Sequence, residues 1–164
     1  MTILTELDLR SGARIILRRA ETGDVPAIVH LLADDELGAG RDGINDDDDL
    51  TPYLSAFSAI DSDPAHLLVA ADDGARLAGT MQLSFLPGLS RRGAMRTQVE
   101  AVRVASAYRG TGLGTAMMTW AIAEARRRHC SFVQLTSDKS RTDAHRFYAR
   151  LGFVASHEGM KLAL

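Results

Sequence analysis

A single cysteine in 164 residues, Cys130, excludes an internal disulfide framework and a multi-cysteine zinc site. Its place at the end of a helical run suits a small packed residue better than a nucleophile. No apolar run approaches the ~20 residues of a membrane-spanning helix. The opening stretch MTILTELDLRSGARIILRRA carries charges throughout and so lacks the apolar centre of a signal peptide. The chain is therefore expected in the cytoplasm. A net charge of -2 gives no electrostatic footprint for nucleic acid or an anionic membrane. The histidines, His30, His66, His129, His145 and His157, show no spacing that suggests a metal site. Repeats, linkers and low-complexity segments are missing too, so one domain over residues 1–164 is expected.

What is there reads as an intermixed α/β or α+β domain. ARIILRRA (13–20) is a strand. ETGDVPAIVHLLADDEL reads as a helix, with Thr22 or Asp24 as cap and Pro26 in its first turn. The acidic run NDDDDL (45–50) reads as a solvated loop whose last Asp caps a second helix near Leu50 to Ile60. A hairpin follows, with strands over 66–71 and 76–86 and a turn at Asp72-Asp73-Gly74. Then come a loop at 87–93, a strand in MRTQVEAVRVA, and a helix in GTAMMTWAIAEARRRH. Trp120, Met117 and Met118 fit the core of that helix, and its closing arginines agree with the helix dipole. SFVQLT is a strand, SRTDAHRFYARL a helix stopped by Gly152, and FVASHEGMKLAL one or two last strands.

Chemistry concentrates in YRGTGLGTAMM (108–118). A helix disfavours glycine by about 1 kcal/mol per residue, yet three stand at alternate positions where one begins. The first N–H groups of a helix lack intrahelical partners, and the dipole adds positive charge there. Gly110, Gly112 and Gly114 remove the Cβ atoms that would hold an anion away, and Arg109 adds a cation able to pair with phosphate. A plain strand-to-helix turn is the bland alternative. A Walker A loop fails, because Thr115-Ala116 follow the last glycine instead of Lys-Ser/Thr. A dinucleotide fold, with Asp138 as the ribose acid, is weak because the spacing is Gly-x-Gly-x-Gly and too little chain follows.

VRVASAYRGTGLGTAMM resembles the pyrophosphate-binding motif of the GNAT superfamily of N-acetyltransferases, Arg/Gln-x-x-Gly-x-Gly/Ala, through Arg109, Gly112 and Gly114. DAHRFYARLGF resembles the family's second signature, and the two stand in its order and spacing. The resemblance implies a central, mostly antiparallel sheet flanked by helices on both faces. It further implies that acetyl-CoA lies along 102–115, with Val102 and Val104 giving main-chain contacts. Arg109, Gly110, Thr111, Gly112, Leu113, Gly114 and Thr115 would then hold the pyrophosphate. The acceptor is a primary amine of a small molecule or peptide, and a homodimer is the default. A non-catalytic acyl-CoA-binding or regulatory module on the same fold is the alternative reading.

Acetyl transfer to an amine sets physical demands on particular residues. An amine of pKa near 10.4 is only about one part in a thousand neutral near pH 7.4, a deficit of ~4 kcal/mol. Glu100 matches the position where many GNAT enzymes place a carboxylate. It is expected to be partly buried or to act through water, the alternative being a surface carboxylate paired to Arg103. That strand tends to bulge in the family, so simple alternation does not say where Glu100 points. Tyr148 aligns with the usual general acid, and its proton would move to a thiolate uphill by only about 2 kcal/mol; packing beside Phe147 is the bland alternative. Where many members carry asparagine seven residues before this tyrosine, the chain has Arg141. No metal is required, and attack within a ternary complex needs no acyl-cysteine.

Overall fold

RIILRR turns Ile15 and Leu17 to one side and Arg18 to the other, and it forms a strand in which both apolar residues are fully buried. The computed structural model describes residues 1–34 and 49–164. In chain order its elements are β1 (Ile3–Asp8), β2 (Arg14–Arg19), α1 (Val25–Ala33), α2 (Thr51–Ser62), β3 (His66–Asp72), β4 (Leu77–Pro87), β5 (Met95–Val104), α3 (Leu113–Arg127), β6 (Phe132–Leu135) and α4 (Thr142–Arg150). The strands form one sheet in sequence order. Neighbours are antiparallel except for β5 and β6, which run parallel.

Each face of the sheet has its own core. Leu67, Val69, Met81, Leu83 and Val99 pack with Leu113, Met117, Met118 and Ala121 of α3. On the opposite face Leu68 and Ala70 pack with Val25, Ile28 and Val29 of α1 and Phe57 of α2. This is the expected mixed sheet covered by helices on both faces.

Some expectations need correction. β1 is a strand beyond those the sequence predicts; its exposed and half-buried residues, ILTELD, carry no clean alternation because they edge the sheet. The first helix begins at Val25, after a 3-10 turn at Thr22–Asp24, so Asp24 and not Thr22 holds the cap position and Pro26 lies in the first turn. Asp24 does not cap it through its side chain, because that carboxylate is taken by Arg18 at 2.6 and 2.8 Å. The expected end of the helix and most of the acidic run fall outside the described residues. The last Asp of that run, Asp49, does accept from the Thr51 N–H at 2.8 Å at the start of α2. Residues 153–164 form no strand. Met160, Leu162 and Leu164 alternate as a strand would, but they stay exposed. Alternation expresses a preference for a pleated, half-buried surface, and only a neighbouring ladder satisfies it.

Candidate active site

β5 is interrupted within the stretch that the sequence offers as a candidate site. Thr80 pairs with Arg103 and Gln82 with Glu100, so three steps on β5 face two on β4. The extra residue makes a bulge, and Ala101 adopts φ 52, a left-handed conformation unusual outside glycine. Up to Glu100 the even-numbered residues of β5 face α1 and α2; beyond the bulge Val102 and Val104 pack on the α3 side. A second irregularity coincides. β6 pairs with β5 only over Arg96–Val99, so among the described residues no strand lies beside β5 on that side from Glu100 onward. The close crossing of β4 behind this point uses Gly79, where a Cβ would meet the Arg103 carbonyl oxygen at 2.7 Å.

The opened strand runs into the glycine turn. Gly110 (φ 78) and Gly112 (φ 92) are left-handed, and a Cβ on either would meet nothing within 4 Å. Gly112 precedes α3 and no side chain among the described residues caps it, so the first-turn N–H groups at Leu113, Gly114 and Thr115 have no capping partner there. Such a turn fits an anionic group, with open space over Gly110 and Gly112 beside the uncapped donors of the helix start. Gly114 differs from the other two. Its Cβ would sit 3.6 Å from both Val104 and Phe147, so its smallness lets the helix start settle against β5 and α4.

Tyr108 fixes the start of the turn. Its carbonyl accepts from the Thr111 hydroxyl at 2.7 Å, and its own hydroxyl donates to Asp73 in the β3–β4 turn. That bond raises the Tyr108 hydroxyl and lowers the Asp73 carboxyl from their ordinary ranges. Asp73 also accepts from the Ala75 and Arg76 N–H groups, and the Arg76 guanidinium lies 6.0 Å over the Tyr108 ring. Sequence reasoning missed this brace; only the Asp-Asp-Gly turn signal pointed to a well-defined loop there. Arg109 is turned toward α1, donating to the Asp34 carboxylate at 2.8 Å and carbonyl at 2.7 Å, and through Nε to the Val104 carbonyl at 3.2 Å.

Tyr148, on α4, is half-buried and packs edge-on to Phe147 at 5.1 Å and Phe153 at 5.8 Å. Burial pushes its hydroxyl above the ordinary phenol range, partly offset by the charges of Arg103 and Arg141. Arg141 thus acts on this tyrosine from the residue preceding α4. Val102, Val104, Phe147 and Tyr148 lie against the same core cluster, so the main-chain segment, the turn and the tyrosine come together. Glu100 stands on the opposite face, exposed rather than partly buried, because the bulge follows it immediately. It forms no ion pair among the described residues, Arg103 included. Cys130 is half-buried against the core. Among the described residues no cluster of His, Cys, Asp and Glu could hold a metal ion.

A mixed sheet that opens at a bulged strand, next to a glycine turn at a helix start, is the architecture of GNAT acetyltransferases. The chain belongs to that family: the Acetyltransferase (GNAT) family model matches residues 26–153. A solved structure described as a transcriptional regulator from Bacillus halodurans C-125 is 42% identical, covering 92% of this chain and 99% of its own at a TM-score of 0.86. A "predicted acetyltransferase with acetyl-CoA" from Clostridium acetobutylicum shares the fold at 18% identity, 91% and 96% coverage and a TM-score of 0.70. An aminoalkylphosphonate N-acetyltransferase of Salmonella typhimurium is 35% identical over 60 residues. That match takes in 37% of this chain and 39% of the relative's length.

Proposed function

We propose that the protein is an acetyl-CoA-dependent N-acetyltransferase acting on a primary amine. The observation that carries this reading is the coincidence at one point of the β5 bulge, the missing strand partner beyond Val99 and the uncapped glycine turn. A turn alone would serve any anion, but an extended backbone left open beside it suits the peptide-like arm of coenzyme A. The Clostridium structure, which has the same fold, is described with acetyl-CoA, and the Salmonella relative is named for an amine substrate.

Acetyl-CoA supplies the acetyl group as a thioester. Gly110 to Thr115 would hold its pyrophosphate, with Arg109 as the adjoining cation, and Val102 and Val104 would hold its arm through their main chains. Glu100, being exposed, takes the proton of the incoming ammonium through water, so that the neutral nitrogen can bond to the acetyl carbon. As the carbon–sulfur bond breaks, Tyr148 gives its proton to the departing sulfur. The raised position of its hydroxyl keeps that proton on the tyrosine at neutral pH. The nitrogen's second proton, lost as the amide forms, returns through water to Tyr148 and restores its hydroxyl, so the products are an amide and a free thiol with one net proton released from the ammonium.

The Bacillus halodurans structure is described as a transcriptional regulator, which favours a second reading in which this chain is a regulatory module that binds acyl-CoA without turning it over. Calorimetric titration with acetyl-CoA, followed by thiol-release assays on a panel of amines, separates the two. Binding with turnover supports the enzyme; binding without turnover across the panel supports the module. Failure to bind acetyl-CoA overturns both.

A further inference from the structure

The face of β5 that carries Glu100 extends as a polar strip away from the bulge. Residues opposite one another on paired strands share a face, so Gln82, Gln98 and Gln134 lie on the same side as Glu100. The Gln134 side-chain amide donates to Gln98 at 2.7 Å, which fixes both on that side. Where α1 and α2 cover this face it is apolar, with Leu68 and Ala70 buried; along the strip it stays polar and partly exposed. At its far end Arg96 pairs in register with Phe132. Arg91 comes from the loop between β4 and β5 and lays its guanidinium over the Phe132 ring at 4.8 Å.

Arg91 is thus stacked on Phe132, while Arg96 reaches the same loop beside Gly88, where a Cβ would meet its Nη1 at 3.2 Å, and no carboxylate pairs with either arginine among the described residues. The loop holds Arg91 there at a cost, since Arg91 (φ 52) and Arg92 (φ 60) are both left-handed. Glu100 and Arg96 stand four residues apart on one strand, about 13 Å between their α-carbons at ~3.3 Å per residue. One end of the strip is anionic and the other doubly cationic.

We propose that Arg91, Phe132 and Arg96 form the anion-holding end of the acceptor site, so that the acceptor is a primary amine that also carries an oxyanion. This rests on the acetyltransferase reading for the role of Glu100 at the other end. The ammonium meets Glu100, the oxyanion meets the two arginines at the far end, and the glutamines between them hydrogen-bond the intervening polar chain.

The test uses the full chain with saturating acetyl-CoA and a chain-length series of ω-aminoalkyl phosphates, ω-amino carboxylates and ω-amino alcohols. The expected result is a kcat/KM at least tenfold higher for one anionic series than for alcohols of equal length, and the better series names the oxyanion. Arg96→Gln and Arg91→Gln each lower that value about tenfold for the anionic amine and leave the alcohol unchanged. Equal rates for alcohols and anions, or variants that slow both alike, overturn the proposal. A second measurement needs no turnover: n-butyl phosphate and butyrate titrated into the protein, followed by calorimetry. Saturable binding of either, weakened in both variants at unchanged melting temperature, supports the subsite. Absence of such binding overturns it even where amines are acetylated; absence of turnover with binding intact counts instead against the enzyme reading.

Discussion

Replacing Arg18 with methionine should destabilise the protein by roughly 3 kcal/mol at neutral pH. Arg18 ties three elements together: two bonds of 2.6 and 2.8 Å to Asp24 ahead of α1, and one of 2.9 Å from Nε to Asp72 at the end of β3. The side chains are 8%, 14% and 23% exposed, so solvent screens the network little. Removing one partner from a buried ion pair costs about 3–5 kcal/mol, chiefly because the remaining charge is stranded. Here two carboxylates would be stranded. Each keeps a backbone donor, Glu21 N–H at 2.7 Å for Asp24 and Gly74 N–H at 2.8 Å for Asp72, which argues for the lower end. For a chain of this length that corresponds to a fall in Tm of ~6–12 °C.

The pH dependence gives the prediction its sign. Hydrogen bonding to Arg18 is the main reason the Asp24 carboxyl lies below its ordinary value of 3.8. A depressed folded pKa contributes stability that is present above the unfolded value and lost as pH falls through the folded one. Urea unfolding of wild type and Arg18→Met should therefore differ most at pH 7 and converge below pH 3.8. A loss under about 1 kcal/mol at pH 7 would refute the reasoning. So would a difference that stays constant down to pH 3, since the cost would then be packing and not charge.

Four further outcomes are expected. Tyr148→Phe should lower kcat roughly 10- to 100-fold with little change in the KM for acetyl-CoA, and the tyrosine-dependent part of the wild-type rate should persist past pH 9 because the hydroxyl is held above its ordinary range; unchanged turnover would remove the tyrosine from the mechanism. Tyr108→Phe breaks the bond to Asp73 and should raise the KM for acetyl-CoA about fivefold at constant kcat, and a kcat effect with no KM effect would contradict a brace on the turn. Gly112→Ala, at φ 92, should cost about 1–2 kcal/mol in urea unfolding. Gly114→Ala, with ordinary 3.6 Å contacts, should cost less than about 1 kcal/mol and could gain from helix propensity.

The three glycines show what the sequence could and could not convey. Their spacing announced a turn at a helix start, and that is where they lie. It assigned all three one job, whereas backbone conformation divides them: two are left-handed and open, and the third is an ordinary helical residue packed on Val104 and Phe147. Burial of the apolar runs was legible because period and composition encode it, as in Ile15 and Leu17 or in Met117 and Met118. The irregularities of β5 were not legible, because a bulge is a relation between two strands and neither sequence contains it alone. The exposure of Glu100 follows from that relation. The Asp73–Tyr108 brace spans 35 positions, so no local pattern could announce it.

Arg109 raises the question of whether its present contacts oppose the role its position implies. Its guanidinium sits on Asp34, at the end of α1, and not over the glycines. The two side chains are 52% and 47% exposed, and an ion pair that accessible is worth about 0–1 kcal/mol. A phosphate offers the same guanidinium a bidentate, more highly charged partner. If Arg109 takes the role proposed for it, exchanging Asp34 for phosphate would be favourable on charge alone, and a bound anion would displace the ion pair. The Arg18 network at the other end of α1 is different in kind, because it is buried and costs several times more to break. α1 is thus pinned at its start and only loosely tied at its end, so a ligand on the glycine turn could release the end of the helix without unseating the start.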